Sequence, residues 1–166
     1  MSAAAASRDQ RGFTLVELII IVLIIGILSA LTLPRFINMS SEARTAKAQA
    51  ILGAVRSASQ VVRAAALVRN QTAASGTVSV DGISISTVYG YPQGLLAANG
   101  ASGIVDAAGL DTSGSNNDAV TLAGGGASPL AIQINGARDL ATCAISYTQP
   151  TAASASPTIT LTTTGC

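Results

Sequence analysis

From Phe13 to Leu33 the chain is almost wholly apolar, with a single charge at Glu17 and none from Leu18 onward. As a helix, the stretch from Phe13 to Phe36 would measure about 36 Å, enough to cross the hydrocarbon core of a bilayer. An apolar run of this length predicts a membrane span rather than a buried core helix. The acid near its start is the exception. A charge at mid-bilayer costs about 2.5–3.5 kcal/mol, less near an end, so Glu17 is a functional candidate that needs a partner. Gly26, Ser29 and Ala30 lie on or near one face, where small side chains let helices approach closely. Pro34 removes one backbone donor and is expected to kink or locally open the helix, with Gly26 as a second weak point.

After Pro34 the pattern turns amphipathic. Phe36, Met39, Ala43, Ala46, Ala50, Ala54, Ala58, Val61, Ala65 and Val68 recur at three- and four-residue steps, with Ile51, Val55 and Val62 widening the stripe. Glu42, Arg44, Arg56, Arg63 and Arg69 lie mostly off it, and Arg56 with Arg63 predicts a solvated or intersubunit charge face. Abundant alanine adds helix propensity. One long helix from about Thr14 to Val68 is expected: a membranous first half (13–36), then a spine (37–69) whose apolar stripe packs on the domain that follows.

Asn70 to Gly76 is a polar connection. Val78, Val80, Ile83, Ile85 and Val88 then alternate with polar residues around Asp81-Gly82, a hairpin signal. Tyr89 to Pro92 predicts a turn, Leu95–Asn99 and Gly103–Ala108 short helical turns, and Asp111–Gly126 a loop. Leu130–Ile134, Ala144–Thr148 and Pro157–Thr163 predict strands. Helix first and strands after imply an α+β head (70–166) with an antiparallel sheet wrapped on the helix.

Charged residues make up only 10% of the chain, so a nucleic-acid surface is not indicated. Residues 1–12 are short and weakly basic through Arg8 and Arg11. The positive-inside rule keeps that end cytoplasmic and exports the head. Export makes a disulfide the natural state of Cys143 and Cys166.

Gly12-Phe13-Thr14-Leu15-Val16-Glu17-Leu18 followed by an apolar run closely resembles the cleavage and assembly motif of type IV pilins and pseudopilins. The resemblance implies that a membrane prepilin peptidase cuts between Gly12 and Phe13 and methylates the new amine. It makes Glu17 the acid at mature position five and Pro34 the family's helix-kinking proline. It also implies a type IV pilin fold, unwinding of Gly26–Pro34 on packing, and a pairing of Glu17 with the Phe13 amine of a neighbouring copy. The stretch from Cys143 to Cys166 is similar to that of mannose-sensitive haemagglutinin (MSHA) pilins.

The chain holds no histidine and one lysine, Lys47. The commonest general base and metal ligand are therefore missing, and no phosphate loop or nucleophile–base pair is legible. No enzyme, cofactor or metal site is expected. The weak metal candidate is an oxygen-rich calcium loop of Asp106, Asp111, Asn116, Asn117 and Asp118, whose residue types more often form turns.

Three functions compete. The first is a subunit of a surface pilus: a homopolymer built by the inner-membrane assembly machinery from a membrane precursor, displayed outside the cell, and used for adhesion to an unnamed receptor and for motility. The second is a pseudopilin of a type II secretion system. The third is a single-span anchored binding domain that never polymerises.

Overall fold

The structure is a computed structural model that describes residues 13–94, 102–112, 120–126 and 129–166, without the side chains of 32–38. The chain divides into two compact units, with the boundary between Met39 and Ser40. Helix α1, Leu15–Val68, runs 54 residues and belongs to both. Among its described residues the second unit adds seven strands and a short helix. They are β1 Gly76–Val80, β2 Ile83–Val88, β3 Tyr91–Pro92, α2 Ile104–Ala107, β4 Val120–Gly124, β5 Leu130–Ile134, β6 Ala144–Thr148 and β7 Thr158–Thr162. The layout is α+β, a long helix followed by antiparallel sheets, like that of type IV pilins.

One sheet was expected, and the strands form two: β1-β2-β3 and β4-β5-β6-β7. Two strands were missing from the sequence reading. Tyr91–Pro92 pairs with Val88 and Thr87, so only Tyr89 and Gly90 turn. Val120–Gly124, expected as loop, pairs with Leu130–Ile134. It holds just two large apolar residues, Val120 and Leu122, too few for alternation to stand out beside a Ser/Asn/Gly-rich approach. Leu95–Asn99 lies outside the described residues.

The core forms where α1 meets the inner face of the four-stranded sheet. A row of apolar partners, Leu122, Ile132, Ile145 and Leu161, crosses all four strands in register. Val55 and Ala48 from α1 and Ile104 from α2 are fully buried with Ile132, Ile134, Ile145 and Tyr147. The buried side of α1 is Ala48, Ile51, Val55, Ala58, Ser59, Val62 and Ala66. This corrects the expected stripe. Ile51, Val55 and Val62, assigned to its margin, are its centre, whereas Ala43, Ala46, Ala50, Val61 and Val68 face solvent. Apolar residues occupy both sides of this helix, so spacing alone does not choose between them. The choice goes to the side whose branched side chains remove more area from water.

Two clamps fix the head to α1. Arg63, expected on a charge face, instead donates from Nη1 to the Tyr89 carbonyl at 2.6 Å and lies 4.8 Å from the Tyr91 ring centre. It holds a left-handed turn, Tyr89 at φ 49° and Gly90 at φ 77°, the geometry that hairpins favour. Gly90 has no room for a side chain: a Cβ there would sit 2.5 Å from Arg63 Nη1 and 3.2 Å from the Ala66 Cβ. At the other end, Arg44 Nη1 donates to the Cys166 carbonyl at 2.9 Å.

The Cys143–Cys166 disulfide is formed and buried. Closing a loop of this size constrains the unfolded chain by about 3 kcal/mol. Beside it, Asp139 accepts from Thr142 Oγ1 at 2.8 Å and from Ala141 N–H at 3.0 Å. The Thr142 hydroxyl, then the Ala141 amide, hold this carboxyl below the usual range. Tyr147 ties the two sheets together, its buried hydroxyl donating to the Pro92 carbonyl at 2.6 Å. Burial pushes that hydroxyl well above the ordinary tyrosine value, with the Ser59 side chain opposing the shift.

Gly90→Ala is expected to destabilise the head by about 1–3 kcal/mol, since it adds a left-handed alanine and a clash with Arg63. A denaturant midpoint shift at unchanged slope checks this. Tyr147 gives a pH dependence. The folded state holds its proton more tightly than the unfolded state, so its contribution is whole below about pH 10 and falls as pH rises further. The alkaline slope of unfolding stability, up to about 1.4 kcal/mol per pH unit, should vanish in Tyr147→Phe. That variant should be less stable at neutral pH because the Pro92 carbonyl loses its donor.

Candidate assembly segment

The first unit's described part is the beginning of α1. Thr14 starts the helix: its Oγ1 accepts from Glu17 N–H at 3.3 Å, and its carbonyl accepts from Leu18 N–H at 3.3 Å. Thr14 is an N-cap that the sequence analysis overlooked, although Thr-x-x-Glu before an apolar run is a known capping signal. Glu17 lies in the first helical turn, where the helix dipole favours an anion. It is exposed, and among the described residues no cation pairs with it. Gly12, with the rest of 1–12, lies outside the described residues.

From Phe13 to Leu31 every side chain is exposed. Exposure runs from 42% at Ile21 to 79% at Phe13 among the large apolar ones. Among the described residues, nothing beyond the adjoining helix lies within 4 Å of the position a Cβ would take at Gly26. Pro34 was expected to kink or locally open the helix; the backbone is helical through residues 32–38, so the helix does not end there. Losing the one hydrogen bond that a proline removes does not end a helix of this length.

Length and composition would also let Met39–Val68 cross a membrane, with a mean hydropathy of 1.3. Its packing argues otherwise. Ala48, Val55, Val62 and Ala66 of that stretch are fully buried in the head. Leu15–Leu31 has no such cover among the described residues. The second unit nonetheless keeps a bare helical side. Ala43, Ala46, Ala50, Gly53, Val61, Ala64 and Val68 are exposed, small or apolar, and uncharged.

Of the five residues of the calcium candidate, Asp106 and Asp111 lie among the described residues. Asp106 Oδ2 accepts from Gly103 N–H at 3.0 Å and caps α2. Asn116, Asn117 and Asp118 lie outside the described residues, and among the described residues no three acidic or sulfur ligands gather.

Residues 7–33 match the family described as the prokaryotic N-terminal methylation motif. The chain is 50% identical over 48 residues to the type IV narrow pilus major component of Thermus thermophilus, covering 29% of this chain and 41% of that protein. It is 44% identical over 58 residues to the type IV major pilin protein of Myxococcus xanthus, covering 35% of this chain and 26% of that one. These matches span less than half of each relative. No solved structure matches the chain.

Burial separates two neighbouring valines. Val62→Asp puts a charge in the core and should unfold the head, whereas Val61→Asp, at a site 50% exposed, should leave it folded. Circular dichroism melting of the two variants checks this; equal melting would contradict the face assignment.

The first 33 residues carry the N-terminal methylation motif, and the relatives that the chain matches are type IV pilins.

Proposed function

We propose that this protein is the structural subunit of a type IV pilus. The observation that carries the proposal is the sheath of exposed aliphatic side chains on α1 between Leu15 and Leu31, with one acid at its start and a methylation motif around it. Water is a poor solvent for such a surface. Lipid satisfies it before assembly, and the helices of other copies satisfy it afterwards.

On this reading a prepilin peptidase removes residues 1–12 and methylates Phe13. The precursor sits in the inner membrane, with its leader in the cytoplasm and its head in the periplasm. The assembly machinery then extracts it into a fibre that leaves the cell and serves adhesion and motility. Residues 13–36 are the assembly helix, 37–69 the spine and 70–166 the head. Copies related by a rotation that does not close give an open helical fibre. Small residues such as Gly26 let the helices approach, and Gly26 to Pro34 is the stretch that unwinds as they pack.

Glu17 sets the register. Buried among apolar helices, it needs a counter-charge, and the Phe13 amine of a neighbouring copy supplies one. A misplaced subunit would leave a carboxylate buried and unpaired, which costs several kcal/mol. The bare side of α1 in the second unit suits the same packing, because it holds no charge to desolvate.

Glu17→Ala and Glu17→Val should leave membrane insertion and cleavage intact and reduce surface fibres strongly or completely. Electron microscopy of sheared material, with immunoblots of membranes, measures both. Normal fibre yield from either variant would overturn the pairing.

A further inference from the structure

Strand β7 ends the four-stranded sheet, and among the described residues no strand pairs with its outer edge. The hydrogen-bond phase shows which groups lie there. Ile134 N–H donates to the Cys143 carbonyl at 3.0 Å, so Cys143, Ile145 and Tyr147 turn their backbone groups toward β5. Ala144, Ser146 and Thr148 therefore face β7, where they pair with Thr162, Thr160 and Thr158. That leaves the N–H and C=O of Ile159 and of Leu161 pointing outward. Among the described residues none of these four groups has a partner. The next carbonyl, Thr163, is taken by Cys166 N–H at 3.1 Å.

Thr158-Ile159-Thr160-Leu161-Thr162 contains no charge and no proline, two features that keep edge strands from pairing. It is rich in residues that favour strands, and it reads nearly the same in both directions. An antiparallel copy centred on Thr160 sets Thr158 against Thr162, Ile159 against Leu161, and Thr160 against itself. Hydroxyls meet hydroxyls on the exposed side and aliphatics meet aliphatics on the other. The same two-fold gives Ile159 and Leu161 of each strand a bonded pair, so all four free groups on both strands find partners.

We infer that β7 is a self-complementary edge through which two copies of this chain join, their β7 strands antiparallel about Thr160. Such a contact is isologous. Copies stacked by a non-closing rotation in one polar fibre meet head to tail through unlike surfaces. The β7 contact therefore links separate fibres, and on the pilus reading above it bundles them. A single five-residue pair is weak, and repetition along two fibres makes it strong.

Cross-linking tests the pairing without requiring fibres. At the axis the two Thr160 Cα atoms would lie about 4.5 Å apart, within disulfide reach. Full-length Thr160→Cys in detergent, mildly oxidised, should yield several times more covalent dimer than Thr151→Cys, which is also exposed. Equal yields, or no dimer from Thr160→Cys, would overturn the inference. Thr160→Lys sets like charges at the axis and should turn bundles into single fibres. Mixing Thr160→Lys with Thr160→Glu should restore bundles. Bundles unchanged in Thr160→Lys, or single fibres in the unmodified protein, would overturn the bundling role. Absence of fibres from the unmodified protein would count against the pilus reading, and the cross-link would still decide the edge.

Discussion

Between Leu15 and Leu31 the helix shows aliphatic side chains on every side, and nothing among the described residues covers them. Burying a large aliphatic is worth about 1.5–3 kcal/mol, and thirteen of them are exposed in that stretch. The summed demand exceeds the whole net stability of a typical domain, about 5–15 kcal/mol. On the proposed reading, hydrocarbon and then other copies of the helix supply the cover.

The head is built so that one helix can serve two environments. Its buried side is centred on Ile51, Val55 and Val62, and the first two share a core with the four-stranded sheet. Polar clamps then finish what apolar packing starts. Arg63 holds the Tyr89–Gly90 turn, Arg44 holds the Cys166 carbonyl, and Tyr147 joins the two sheets through Pro92. The disulfide flanks the paired strands β6 and β7, and among the described residues no strand pairs with the outer edge of β7. The parts of the head that meet α1 are locked, and uncharged surfaces remain for other copies.

The long helix was legible because two signals agreed: an unbroken apolar run, then a three- and four-residue rhythm through alanine-rich sequence. Which side of the spine is buried was not legible, since alanine on one side and isoleucine and valine on the other are both apolar. Volume decides between them, and a list of apolar positions does not weigh volume. The hairpin at Asp81-Gly82 announced itself by residues suited to positive φ, whereas Tyr89-Gly90 hid the same turn behind a tyrosine. The role of Arg63 was out of reach because its partner is a carbonyl 26 residues away, and backbone acceptors carry no sequence mark. Thr14 was within reach, its cap written as Thr-x-x-Glu, but the cleavage motif around it drew the reading elsewhere. Strand β4 needed its partner β5 to be seen at all.

Everything proposed for assembly depends on a new N-terminus at Phe13, because the amine that answers Glu17 does not exist until the chain is cut there. N-terminal sequencing and intact mass of protein sheared from the cell surface test this directly. A first residue of Phe13 carrying one methyl group on its amine is the predicted result. Surface protein that still begins upstream of Phe13, or a chain found only as an uncut soluble monomer, would contradict the account.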